Sequence, residues 1–104
     1  MALLRFSRRA EGDLQGICDH TVEAWGEDQA VRYIDALEAF CRMLAENPAL
    51  GRRCDDVRRG LRRMESERHV VFYEEEADGI LVSRIQHGRM LPKRYAMEDD
   101  DEGS

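Results

Sequence analysis

The stretch Arg63–Met90, RMESERHVVFYEEEADGILVSRIQHGRM, decides the fold. It reads as two β-hairpins in succession. Runs rich in Val, Ile, Phe and Tyr are separated by polar turns at Glu67-Arg68 and Asp78-Gly79, and a DG pair between apolar runs is a strong hairpin signal. The strands fall at about 58–65, 68–75 and 79–87. Side chains alternate between the faces of a strand, so Leu81, Ser83, Ile85 and His87 share one face and Ile80, Val82, Arg84 and Gln86 the other. Before this block, residues 2–6 (ALLRF) read as a first strand.

Two helices come between. Ser7 is a suitable N-cap, and Ala10, Leu14, Ile17, Cys18, Val22 and Trp25 form a stripe at helical spacing. Gly26 supplies the left-handed residue that stops this helix. Glu27 and Asp28 follow, with negative charge at the positive end of a second helix. That helix carries Ala30, Ile34, Leu37, Cys41 and Leu44, widened by Tyr33 and Phe40. Asn47-Pro48 ends it, since a residue before proline resists the helical region. So short a link makes the helices antiparallel neighbours. Residues 48–58 read as an irregular, arginine-rich connection. The expected architecture is α+β, β-α-α-β-β-β, with a helical hairpin on one face of a small, mainly antiparallel sheet.

On that arrangement one sheet face is left open. A mid-strand arginine is costly beneath a helical layer, so Arg84 is expected to face away from it. Val70 and Phe72 alternate with His69, Val71 and Tyr73, so both faces of that strand are apolar. The open face then shows Val and Tyr flanked by Arg, a surface suited to a partner.

Composition narrows the class. With 42% hydrophobic and 37% charged residues, the 104-residue chain has the balance of one soluble globular domain and not of a disordered segment. No apolar run approaches the roughly 20 residues needed to cross a bilayer. The N-terminal MALLRFSRRA puts its basic residues after the apolar ones, the wrong order for a signal peptide, so a cytoplasmic protein is expected. Cys18, Cys41 and Cys54 form no CxxC pair and read as free thiols. The three histidines share no metal-ligand spacing, so no metal or other cofactor is expected.

Twenty-two acids and 16 bases give a net charge of −6, yet five acids lie in Glu98–Glu102. Without them the charge is −1. Residues 98–104 therefore read as an acidic, disordered tail on a domain spanning 1–97. The bases are 15 Arg and the single Lys93, and arginine's planar fork suits docking onto carboxylates, phosphates and aromatic faces.

Several short pieces in order carry a resemblance. They are Ser7-x-x-Ala10 with Asp13-Leu14, Trp25-Gly26, Gln29-Ala30-x-x-Tyr33, and Asn47-Pro48-x-x-Gly51. Arg58-x-Gly60, His69-Val70-Val71-Phe72-Tyr73 and Arg84-Ile85-x-His87-x-x-Met90 complete the series. From Leu4 to about Arg94 the chain resembles the ParE branch of the RelE/ParE superfamily, the toxin half of type II toxin–antitoxin modules. The acidic tail lies outside the pattern. The resemblance implies a cytoplasmic toxin held inert by a ParD-like antitoxin, with operator DNA bound only through that antitoxin. It implies DNA gyrase as the target, with replication halted by binding and not by chemistry. The alternative is a RelE-like, ribosome-dependent mRNA endoribonuclease, for which Arg84 and His87 would be the catalytic pair. Fold alone does not choose between them.

The residues expected to bind antitoxin are Tyr33, Leu37, Phe40, Arg58, Arg62, Val71, Tyr73 and Arg84; those expected to touch the target are Arg62, Met90 and Arg94. Each has a plainer reading. The series Arg52, Arg53, Arg58, Arg59, Arg62 and Arg63 is either an anion-seeking patch or a solvated edge protected by charge. Tyr33 and Phe40 at helical spacing are more often core than interface, and Trp25 at the hairpin apex is expected to cap the core. His69 and His20 read as structural and exposed respectively. Met90–Met97 is either target-binding or a segment folded along the sheet's edge.

Overall fold

A computed structural model describes residues 2–88. The elements are β1 (Leu3–Phe6), α1 (Arg8–Trp25), α2 (Glu27–Glu46), a 3₁₀ turn at Pro48–Leu50, β2 (Arg52–Arg53), β3 (Leu61–Ser66), β4 (His69–Glu76) and β5 (Gly79–His87). Met90, Arg94, the rest of Met90–Met97 and the acidic run lie outside the described residues.

Ser7 joins strand to helix. Its Oγ accepts from the Ala10 N–H at 3.0 Å and donates to the Ser83 carbonyl at 2.8 Å, while its own N–H donates to Val82 at 2.9 Å. The cap that starts α1 therefore also pins it to β5. Gly26, at φ 93°, stops α1 by donating to the Val22 carbonyl, and its own carbonyl receives the Ala30 N–H. One residue thus turns the chain into the antiparallel hairpin.

The sheet is mixed and five-stranded, in the order β1-β5-β4-β3-β2, with β1 parallel to β5 and all other pairs antiparallel. The fifth strand is a difference from the sequence reading. Arg52 and Arg53 pair with Arg63 and Arg62, and two charged residues carry no apolar alternation that would announce a strand. The next strand starts at Leu61, not near 58. Residues 54–60 form a tight loop in which Asp55 accepts the Gly60 N–H at 3.0 Å. Parallel pairing brings β1 close to Gly79, where a Cβ would lie 1.8 Å from the Leu3 carbonyl oxygen.

The helices cover one face. Leu37, Cys41 and Leu44 of α2 and Ala10 of α1 meet Val71, Tyr73, Ile80, Val82 and Ile85 in the main core. Burial of each large aliphatic side chain there stabilises the fold by about 1.5–3 kcal/mol. Burial also pushes the Cys41 thiol up to about 12, so it stays a neutral apolar filler. Tyr73 lies wholly within this core. Its hydroxyl donates to Pro48 at 2.7 Å and accepts from the Gly51 N–H at 2.8 Å, which fixes the chain as it leaves α2.

Two expectations change here. Phe72 pairs with Arg84 but Tyr73 pairs with Val82, so Ser83 is the extra residue of a β-bulge. The bulge breaks strict alternation, and Ile85 joins Ile80 and Val82 beneath the helices. The far face is not open either. Val70 and Phe72 are buried there by Cys54, Leu61 and Val57 of the loop and the start of β3. The arginine-rich connection is thus a cover with its own small core. Among the described residues no helix is long and apolar enough to cross a membrane.

Candidate partner-binding groove

Between α1, the first half of α2 and the adjoining ends of β4 and β5 lies a groove of about 860 Å³. It exists because one helix wall is bare. Gly12 and Gly16, one turn apart on α1, have open space where a Cβ would sit. Glycine inside a helix costs about 1 kcal/mol relative to alanine, so such a pair needs a reason beyond helix formation. It is the sequence signal that marks this wall, and it stands outside the amphipathic stripe. Ile17, Thr21 and Trp25 continue the wall, and Gln29 and Tyr33 of α2 face it. Trp25 does not cap the core: as the last residue of α1 it is 64% exposed, at the groove's mouth.

The strand side is polar. The Tyr33 hydroxyl meets His69 Nδ1 at 2.5 Å, and the His69 ring stands edge-on to His87 with centroids 5.2 Å apart. His69 is only 8% exposed. Burial, then His87, Arg68 and His20, hold its pKa down to about 4, so it is a neutral ring near pH 7. Burial and then Glu67 push the Tyr33 phenol up.

Arg84 occupies the edge of this groove, against the expectation that it avoids the helices. Its Cα lies opposite Phe72, as a far-face residue should. The guanidinium nevertheless comes round the sheet edge and pairs with Asp13 of α1, Nε at 2.9 Å and Nη2 at 3.2 Å. The cause is the end of β1. Its pairing with β5 stops at Val82, so the Ile85 N–H has no strand beside it and takes the Asp13 carboxylate at 2.8 Å. That carboxylate then draws in the arginine, whose pKa rises chiefly through this hydrogen bond.

The structure brings Tyr33 and Arg84 together on one groove and places His87 beside them. It separates them from the other expected residues. Leu37, Val71 and Tyr73 are core, so in the folded chain they offer packing and not docking area. Phe40 is half-buried against the same core. Arg58 pairs with Glu74 and donates to Ser83 Oγ; Arg62 donates to the Gly51 carbonyl at 2.7 Å. Arg52 and Arg53 also engage the chain's own acids, Glu65 and Asp55, and Arg63 is buried. Most of the arginine series is therefore tied up in the cover over the far face. His20 is exposed and lines the groove. Among the described residues no group of three His, Cys, Asp or Glu side chains is placed to hold a metal ion.

A helical hairpin on one face of a mixed sheet, with a groove along its edge, defines a small α+β scaffold. Residues 4–92 match the family described as the ParE toxin of the type II toxin–antitoxin system, parDE. The chain belongs to the ParE toxin family. Over 85 residues it is 38% identical to Toxin ParE1 of Mycobacterium tuberculosis, covering 81% of this chain and 87% of that one. Over 69 residues it is 44% identical to Toxin ParE1 of Caulobacter vibrioides, covering 66% and 72%. Among solved structures it resembles a chain of the chromosomal ParDE TA system from P. aeruginosa, with a TM-score of 0.71 over 84% of this chain and 96% of that one. Identity there is 24%, so that likeness supports the fold alone.

Proposed function

We propose that this chain is the toxin of a ParDE-type module in the cytoplasm, neutralised by a ParD-like antitoxin that seats a segment in the groove between α1 and the β4–β5 ends. Operator DNA would be reached only through the antitoxin. The observation that carries this is the groove itself: a concave, half-apolar site next to Trp25 and Tyr33, on a chain whose family is ParE. Ordering a flexible segment costs several kcal/mol, so tight neutralisation needs an interface well above about 1,000 Å² in total. The groove supplies the centre of such an interface and the flanking helix faces the rest.

Free of antitoxin, the chain inhibits DNA gyrase by binding. The residues named for that contact are Arg62, Met90 and Arg94. The competing activity, ribosome-dependent mRNA cleavage, has one observation in its favour, since Arg84 and His87 line the same groove. Against it, Asp13 already neutralises the Arg84 guanidinium in a bidentate pair, and a phosphate would have to displace a partly buried carboxylate. A supercoiling assay with purified gyrase, run beside a translation extract, separates the two. Inhibited supercoiling with intact message supports the gyrase reading. Untouched gyrase with cut message, abolished by Arg84→Ala, reverses it.

A further inference from the structure

The two antiparallel hairpins of the sheet close on turns of the same length by different means. Ser66 pairs with His69 across Glu67-Arg68, and Glu76 pairs with Gly79 across Ala77-Asp78. Neither Ala77 nor Asp78 takes a positive φ, whereas Glu67 stands at φ 52°, among the described residues the only non-glycine in the left-handed region. Where a two-residue hairpin turn needs such a conformation at its first central position, glycine fills it without strain. The turn at Ala77-Asp78 shows that loop length alone does not demand it. A glutamate held there is strained, and strained residues persist where the side chain has a use.

That turn forms the strand end of the groove. Glu67 and Arg68 are both exposed and line it, and with His87 and Gly88 they continue it into a second hollow of about 430 Å³. The Arg68 carbonyl accepts the Gly88 N–H at 2.9 Å, which ties the turn to the end of β5. Both charges reach the Tyr33 phenol: after burial, Glu67 pushes its pKa up and Arg68 draws it back. They are also the unmatched carboxylate and guanidinium of this site. Asp13 and Arg84 neutralise each other, while among the described residues neither Glu67 nor Arg68 is held in an ion pair.

We propose that Glu67 and Arg68 determine which partner segment the groove accepts, Glu67 by pairing with a base of that segment and Arg68 by pairing with an acid. This rests on the groove being where the antitoxin docks, and adds the charge pattern that the docked segment carries at the strand end. The role is selection more than affinity. Exposed ion pairs add little to binding, but a segment of the opposite pattern sets like charges against both side chains and is rejected.

The test uses the full chain and the ParD-like antitoxin that co-purifies with it. Glu67→Gly relieves the backbone and removes the carboxylate, so it melts at or above the parent temperature yet binds the antitoxin about threefold more weakly, the factor of one exposed ion pair. Glu67→Lys with Arg68→Glu keeps the parent's circular dichroism and binds about a hundredfold more weakly at low salt, less so at high salt. Charge reversals made one by one along the antitoxin segment then include a base-to-acid change that restores binding to Glu67→Lys alone. A Glu67→Gly chain that melts lower gives Glu67 a structural role and overturns the proposal. So does parental binding by the charge-swapped chain, or a scan in which no reversal restores it. The groove reading survives all three if Gly16→Leu, whose Cβ meets open space, fills the groove and abolishes binding. If Gly16→Leu binds as the parent does, the groove reading falls and takes this one with it.

Discussion

Asp13 of α1 and Arg84 of β5 are joined by two hydrogen bonds, and the same carboxylate accepts the Ile85 N–H. This one acid closes the sheet edge where β1 ends and seats the arginine at the groove. Asp13→Ala leaves a backbone donor and a partly buried guanidinium without their acceptor, and should cost about 1–3 kcal/mol. Arg84→Ala should cost less, because Asp13 keeps its bond to Ile85. Urea midpoints at constant m-value measure both. In antitoxin binding, Arg84→Glu should weaken affinity, since it sets two acids together at the groove edge; unchanged affinity would remove Arg84 from the interface.

His69 gives stability a pH dependence of defined sign. Its folded pKa, about 4, lies below the ordinary 6.5. The unfolded chain therefore binds the proton first as pH falls. The contribution is fully present above about pH 6.5 and is lost progressively down to about pH 4, by at most on the order of 3 kcal/mol. His69→Gln should flatten this part of the stability–pH curve relative to the parent, while carboxylate titration below it stays common to both. An identical slope in the variant would show that His69 is not held neutral.

The glycines separate stability from binding. Gly79→Ala drives a Cβ into the Leu3 carbonyl and should destabilise by several kcal/mol or prevent folding, because β1 must move away. Gly12→Ala and Gly16→Ala meet open space and should each stabilise α1 by about 0.5–1 kcal/mol. Both nevertheless narrow the groove, so antitoxin affinity should fall as the melting temperature rises. A rise in both would mean that the bare helix wall has no part in docking.

Deletion of residues 98–104 should leave antitoxin binding and toxicity unchanged, because the acidic run lies beyond the matched residues 4–92 and is read as peripheral. Loss of either activity in the truncated chain would give that run a role.

Much of this fold was legible in the sequence because its signals are local. Ser7, Gly26 and Asn47-Pro48 mark helix ends by their own backbone chemistry, and Asp78-Gly79 marks its hairpin. What escaped depends on neighbours distant in sequence. The bulge at Ser83 changes which face Ile85 occupies, and nothing in LVSRIQ distinguishes a bulged strand from a regular one. The same bulge takes Arg84 off the face it was read to share with Ile80 and Val82 and sets it opposite Phe72, and its long side chain then reaches Asp13 past an edge left open because β1 is four residues long. Val71 and Tyr73 were expected on the open face, but they lie under the helices while Val70 and Phe72 pack against the 54–60 loop; with both pairs apolar, strand alternation alone could not tell which pair the helices would cover. The groove was the least legible feature, since it is defined by side chains that Gly12 and Gly16 lack.

Amide hydrogen exchange of the chain with and without its antitoxin tests the central claim most directly. The account predicts new protection along α1 from Gly12 to Trp25, at Gln29–Tyr33 and at the β4–β5 ends around His69 and Arg84. Protection confined to β2, β3 and the 54–60 loop, with the groove exchanging as in the free chain, would contradict it.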